Sequence, residues 1–193
     1  MKILWLDVET TGKDPRRNGI IELACIIEIG NEVAEEQVFR MNPIGKEISE
    51  EALAVHGISL AQIQTYPSAK EVKKEIESFF SRYVNRYDKT DKFIPAGFNV
   101  RFDIDFLNSL WEDSGDPYLF GYIRGGVELD IYRAVFFAKW CGYPLVLPDY
   151  KLLTLAKSMN VNIQSHDALS DIKATREIAY KLKDFFKTEK IQK

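Results

Sequence analysis

Apolar positions in this chain follow two periods, and the change from one to the other sets the order of its elements. Ile3 to Leu6 is a continuous apolar run that meets Asp7 and ends in Thr10-Thr11-Gly12. Such a run predicts a strand buried on both faces. Residues 19–29 are apolar and β-branched, Gly30-Asn31 is a tight-turn pair, and 33–41 continue in strand-like sequence. The first three strands are therefore expected to form an antiparallel meander, closed by Asn42-Pro43. The period then becomes helical: Val72, Ile76, Phe79, Phe80, Tyr83 and Tyr87 share one stripe of a helix predicted over 68–87. A charged turn at 88–92 leads to a short strand at 93–98, a helix over 101–113, a strand at 127–129 and a helix over 131–140. A Gly- and Pro-bearing loop runs to Pro148, followed by helices over 151–159 and from about 167 to 186. No internal repeat interrupts this order. Three antiparallel strands followed by strands alternating with helices predict an α/β domain with a mixed sheet.

Four acids stand out against that pattern. Asp7 and Glu9 are two residues apart on a strand, so both project to one face just where the apolar run stops. Two such anions raise each other's pKa or require a cation between them, and hard divalent ions prefer carboxylate oxygen. Taken alone, such a pair more often describes solvated acids at a strand end. In the last helix Ala168, Ile172, Thr175, Ala179, Leu182 and Phe186 mark the buried stripe, and Asp171 falls within it, whereas Asp167 reads as a solvated N-terminal cap. Asp103 precedes Phe106, Leu107 and Leu110 at offsets of three, four and seven, which turns it inward, while Asp105 faces out. Each inward acid alone could be a buried cap or half of a structural ion pair. Several together, near element ends, point to a metal site. His166, five residues before Asp171, is expected in the loop ahead of the helix, where a solvent-reachable imidazole suits a general base. His56 reads as an ordinary turn residue.

Composition and charge narrow the picture further. At 193 residues and 46% hydrophobic content the chain fits one compact domain over 1–187 with a short polar tail at 188–193. No apolar run reaches the roughly 18 residues of a membrane span, and the first residues lack the basic region and cleavage site of a secretory signal, so a cytoplasmic protein is expected. The two cysteines, Cys25 and Cys141, suit a reducing compartment better than a disulfide framework. A net charge of −3 argues against a broad basic surface for long nucleic acid. It leaves room for an enzyme that grips a few terminal nucleotides and takes its positive charge from bound metals. Two small basic groups, Lys13/Arg16/Arg17 and Lys139/Lys151, are either phosphate contacts or solvated surface.

Three motifs in order resemble the DEDDh 3'-to-5' exonucleases typified by the proofreading epsilon subunit of bacterial DNA polymerase III. Asp7-Val8-Glu9-Thr10-Thr11-Gly12 resembles the first, Asn99-Val100-Arg101-Phe102-Asp103-Ile104-Asp105-Phe106-Leu107 the second and His166-Asp167-Ala168-Leu169-Ser170-Asp171 the third. Asn42-Pro43, Ile48-Ser49 and Val55-His56-Gly57-Ile58-Ser59 are similar to the linker between the first two in epsilon-like members. The resemblance implies a ribonuclease H-like fold with a five-stranded mixed sheet flanked by helices. It implies two Mg2+ or Mn2+ ions held by Asp7, Glu9, Asp103 and Asp171, with His166 as general base. It also places Thr10, Thr11, Gly12, His56, Gly57, Ile58, Asn99, Phe102 and Phe106 around the terminal nucleotide, Ile58 and Phe106 as apolar wedges. Phe98 departs from the pattern, since epsilon-like members often carry histidine there, and the loop at 142–148 has no place in it.

The function so implied is metal-dependent hydrolysis at a nucleic-acid 3' end that releases 5'-nucleoside monophosphates from single-stranded or frayed DNA, with a polymerase partner left open. Two alternatives stand beside it. One is an RNA or short-oligonucleotide trimming enzyme similar to ribonuclease T or oligoribonuclease. The other is a non-catalytic nucleic-acid-binding or polymerase-associated scaffold, against which the presence of all five chemical residues speaks.

Overall fold

The computed structural model describes residues 1–164 and 167–189, with side chains as far as Lys187. It contains the five-stranded mixed sheet expected from the sequence, in the order β3-β2-β1-β4-β5. Strands β1 (Lys2–Thr10), β2 (Ile20–Ile29) and β3 (Glu32–Arg40) form the antiparallel meander. The turn between β2 and β3 holds Gly30 and Asn31 at φ 64° and 81°. Two successive positive φ values match the twist of a tight hairpin, which is why a Gly-Asn pair serves there. Strands β4 (Ile94–Gly97) and β5 (Leu129–Asp130) extend the sheet in parallel.

The alternation of β1 sets the two sides of the molecule. Leu4, Leu6 and Val8 pack with Phe79, Phe80, Leu107 and Trp111 on one face, where helices α3 (Ala69–Ser81) and α4 (Arg101–Asp113) lie. Ile3 and Trp5 pack with Ile131, Val135, Leu155, Ile172 and Ile178 on the other, beneath α5 (Ile131–Trp140), α6 (Leu152–Ser158) and α7 (Ala168–Glu189). Burial on both faces explains the unbroken apolar run of β1. It also directs Asp7 and Glu9, which continue the odd-numbered face, towards α7. β3 closes one edge of the sheet with exposed Glu32 and Gln37, which blunt it against pairing with another chain. Among the described residues no helix is long and apolar enough to cross a membrane.

Three local expectations are corrected. The helix predicted over 68–87 ends at Ser81, and Tyr87 is 86% exposed instead of lying on its buried stripe. Here Asp91 accepts the Asn85 N–H at 2.9 Å and the Lys92 ammonium binds the Asn85 and Arg86 carbonyls, so these groups hold the chain in turns instead of a further helical turn. Two short helices, α1 (Glu50–His56) and α2 (Leu60–Thr65), occupy the segment between the first two motifs, and His56 ends α1 instead of sitting in a plain turn. The strand predicted at 127–129 shifts to Leu129–Asp130, because Asp130 also caps α5 through the Tyr132 N–H.

Gly97, the last residue of β4, is required by close packing. A Cβ there would lie 2.8 Å from the Leu6 carbonyl oxygen and about 3 Å from the Val100 side chain, on backbone that cannot withdraw without parting β4 from β1. Gly97→Ala is expected to destabilise the fold by about 2 kcal/mol in chemical denaturation, the scale of an overpacked core position. An unchanged unfolding midpoint would contradict this packing.

Candidate active site

Pairing of β4 with β1 ends at Ala96 opposite Trp5, so the later residues of β1 have no β4 residue opposite them. The chain turns at Asn99, held at φ 59°, and enters α4, whose first turn carries Asp103. The Asp103 Oδ1 accepts the Val8 N–H at 3.0 Å, so a carboxylate replaces the missing strand. Asp103 is 3% exposed. Beyond Val8 the pairing of β1 with β2 slips between Glu9 and Thr10, and this irregularity ends the strand just after the second acid. From the opposite layer the first turn of α7 brings in Asp171. Asp7, Glu9 and Asp171 each offer a carboxylate oxygen, and these oxygens lie within 4.8 Å of one another. Asp103 stands beside this trio, tied to the backbone, and its charge acts on Asp7.

The charges acting on Asp7 and Glu9 have one sign. Burial is the largest influence on the Asp7 carboxyl, and each charge acting on it (Asp103, Asp171, Glu9, Glu22) is another carboxylate, so its pKa is pushed well above the usual range. Glu9 is raised to about 7, first by burial and then by Asp171, Glu22 and Asp167. Asp103 is raised by burial, against the lowering effect of the Val8 N–H. Buried acids elsewhere in the chain have cations: Glu28, 2% exposed, meets the Arg176 guanidinium at 2.7 Å. A cluster of half-buried carboxylate oxygens, in which Asp7 and Glu9 feel only negative charges, fits a divalent cation of the hard, oxygen-seeking kind.

The residues expected around a terminal nucleotide belong to three segments: the end of β1 with the turn after it, the corner at the end of α1, and the start of α4. Thr10 and Thr11 are buried; the Thr10 hydroxyl donates to the Gly12 carbonyl, while that of Thr11 donates to the Glu47 carbonyl and accepts from Gly19. Gly12 packs against Asn18 so tightly that a Cβ would lie 2.5 Å from its side chain. These residues shape the turn. Gly57 terminates α1 at φ 72°, and the Ile58 N–H donates to His56 Nδ1 at 3.0 Å, which holds the His56-Gly57-Ile58 corner together. Asn99 is exposed at the start of α4. Phe106 is 1% exposed, which corrects its reading as a wedge: it backs the more open Phe102, at 4.8 Å between ring centres. His166 lies outside the described residues.

Two acids near the site escaped the sequence reading. Glu22, 5% exposed, is the cross-strand partner of Glu9, a like-charge pairing that register alone reveals, and it is partly relieved by Arg40 at 2.7 Å. Asp130, 6% exposed, accepts the Asn99 N–H at 3.0 Å and adds to the field on Asp103. Its position just before a helical run was a capping signal open to view.

The family model described as RNase_T, Exonuclease, matches residues 4–179. Among curated proteins the chain is 26% identical to DNA polymerase III PolC-type of Thermotoga maritima, over 94% of this chain and 12% of that protein. It is 28% identical to the protein of the same description from Latilactobacillus sakei, over 91% and 11%. The chain thus spans about a tenth of the length of these relatives. Among solved structures it superposes on an E. coli ExoI–ssDNA complex with a zinc ion bound at a TM-score of 0.77 and 20% identity, covering 97% of this chain and 43% of that one. A product-bound exonuclease I gives 0.75 at 21% identity, covering 97% and 46%. At these identities the structural likeness establishes the fold.

The raised acids predict a sign for the dependence of stability on pH. The folded chain holds a proton on Glu9 up to about pH 7, whereas the unfolded chain releases it near 4.5. The stabilisation is complete below the lower value and lost as pH rises through the upper one. With a chelator present, stability should fall by on the order of 2 kcal/mol between about pH 5 and pH 8, allowing for solvent screening of Glu9. Mg2+ or Mn2+ at the higher pH should restore it. A thermal midpoint that is flat or rises across this window in chelator would contradict the arrangement.

Proposed function

The chain belongs to the RNase_T exonuclease family, and from that premise we propose that it is a DEDDh-type 3'-to-5' exonuclease releasing 5'-nucleoside monophosphates from single-stranded or frayed DNA. The observation that carries this reading is the meeting of Asp7, Glu9 and Asp171 within 4.8 Å, beside Asp103, from β1, α7 and α4. These four would hold two Mg2+ or Mn2+ ions. When bound, such a pair neutralises charge on a phosphodiester and lowers the cost of forming the nucleophile and of expelling the leaving oxygen.

The remaining work falls to the chain's own groups. An imidazole nitrogen of His166 takes the proton of the attacking water, a role suited to a group that titrates near neutrality. Asp103, fixed by the Val8 N–H, keeps the α4 side of the site in register with β1. The His56-Gly57-Ile58 corner and Phe102, supported by Phe106, grip the terminal base by apolar contact, which tolerates any sequence. Asn99 and the Thr10 to Gly12 turn border the same space. The choice of DNA draws support from the polymerase relatives and from the structurally similar exonuclease I, which was solved in complex with single-stranded DNA. The short share of the polymerases that this chain spans leaves a polymerase partner as an expectation only.

Asp7→Ala and Asp171→Asn should each abolish release of mononucleotide from a 3'-labelled oligonucleotide in Mg2+, with losses of at least about a thousandfold. Substantial remaining turnover in either would refute the assignment. His166→Ala should slow turnover by about a hundredfold or more while calorimetric Mn2+ affinity is retained. Loss of metal affinity in that variant would make His166 a ligand instead of a base.

A further inference from the structure

Four aromatic rings form a row that starts beside the acidic site and runs along α5. Phe98, between the end of β4 and Asn99, meets Tyr132 edge-on with ring centres 5.4 Å apart. Tyr132 meets Phe136, one turn further along α5, at 5.1 Å, and Phe136 stacks on Tyr150 at 4.4 Å with 28° between the planes. Phe136 is 41% exposed. Two lysines accompany the rings: the Lys139 ammonium donates to the Tyr150 hydroxyl at 2.7 Å, and Lys151 follows Tyr150 with an exposed side chain, whereas Arg133 beside Tyr132 is paired with Asp130 at 3.2 Å and Glu128 at 3.7 Å. One carboxylate oxygen joins this row to the site, since Asp130 Oδ1 accepts both the Asn99 N–H and the Tyr132 N–H at 3.0 Å.

We propose that this row is a track for single-stranded DNA on the 5' side of the terminal nucleotide. It rests on the exonuclease reading and extends it to residues outside the four-acid cluster and its border. The exposed Phe136 ring and the open parts of the half-buried Tyr132 and Tyr150 offer stacking surface to bases of any identity, and Lys139 and Lys151 offer charge to the phosphates between them. Two lysines beside the rings, in a chain of net charge −3, favour a polyanion over an apolar protein partner. Phe98 then gains a role as the ring that passes the strand from the cleft to α5. The other exposed rings of α5 form no part of the row: Phe137 packs near Trp140 and near Phe186.

The test compares Phe136→Ala and the double variant Lys139→Ala/Lys151→Ala with the parent chain on a thymidine dinucleotide and on an oligothymidylate of about twelve nucleotides. On the long substrate kcat/KM should fall about tenfold, mainly through KM, and the double variant should show a shallower salt dependence. Dinucleotide turnover, on a substrate too short to reach α5, should stay within about twofold, and Phe136→Tyr should recover the long-substrate value. Equal loss on both lengths would reduce the row to support for the site, and no loss on either would remove it; both results overturn the proposal. Should the parent chain hydrolyse neither substrate, the exonuclease reading fails by itself. Fluorescence anisotropy of the long oligonucleotide then decides the track: weaker binding by the variants supports it, and unchanged binding or binding of no DNA by the parent refutes it.

Discussion

Repulsion among carboxylates at the open end of β1 is the constraint around which this fold is arranged. Strand geometry puts Asp7 and Glu9 side by side, sheet register sets Glu22 opposite Glu9, and the first turn of α7 adds Asp171 from the facing layer. In water these groups would ionise near pH 4 and separate. Here burial and neighbouring charge raise Asp7 well above the usual carboxylate range and Glu9 to about 7, and the backbone cannot yield because β1 is packed on both faces. Such an arrangement is costly in the bare chain and becomes favourable when cations supply the missing charge.

The rest of the molecule shows how the same chain treats acids meant only for structure. Asp116 receives Lys73 at 3.2 Å and Arg86 at 3.1 Å, and Glu77 lies 2.8 Å from Lys73. Glu28 has Arg176, the Trp5 indole N–H and the Tyr180 hydroxyl. In both networks each negative group meets a cation. Asp103 is intermediate: a backbone N–H takes one of its oxygens, which anchors α4 against the frayed edge of β1 while leaving its charge to act on the acids beside it. That contrast separates the site from ordinary buried polarity.

Much of this was legible in the sequence because the informative groups broke strong patterns. Asp171 and Asp103 interrupt apolar helical stripes, and Asp7 interrupts a strand run, so their inward direction follows from periods of 3.6 and 2. The first three strands follow from their apolar runs, and the pairing of β2 with β3 from turn chemistry at Gly30-Asn31. What escaped depended on contacts distant in sequence or on short signals. Glu22 matters through its partner across the sheet. The end of α3 is set by Asp91 and Lys92 reaching back to 85–86. α1 and α2 are too short for periodicity, although the Ser59–Gln62 capping box announced the second. Phe106 looked like a wedge from its motif, and only packing shows that Phe102 carries the more open face.

The central claim is that these acids are gathered to hold divalent cations, and diffraction from crystals soaked in Mn2+ addresses it directly. Anomalous difference density should appear among the carboxylates of Asp7, Glu9 and Asp171, with metal–oxygen distances of about 2 Å. Manganese bound only at surface carboxylates, with the space between these three side chains left without an anomalous peak, would contradict the account.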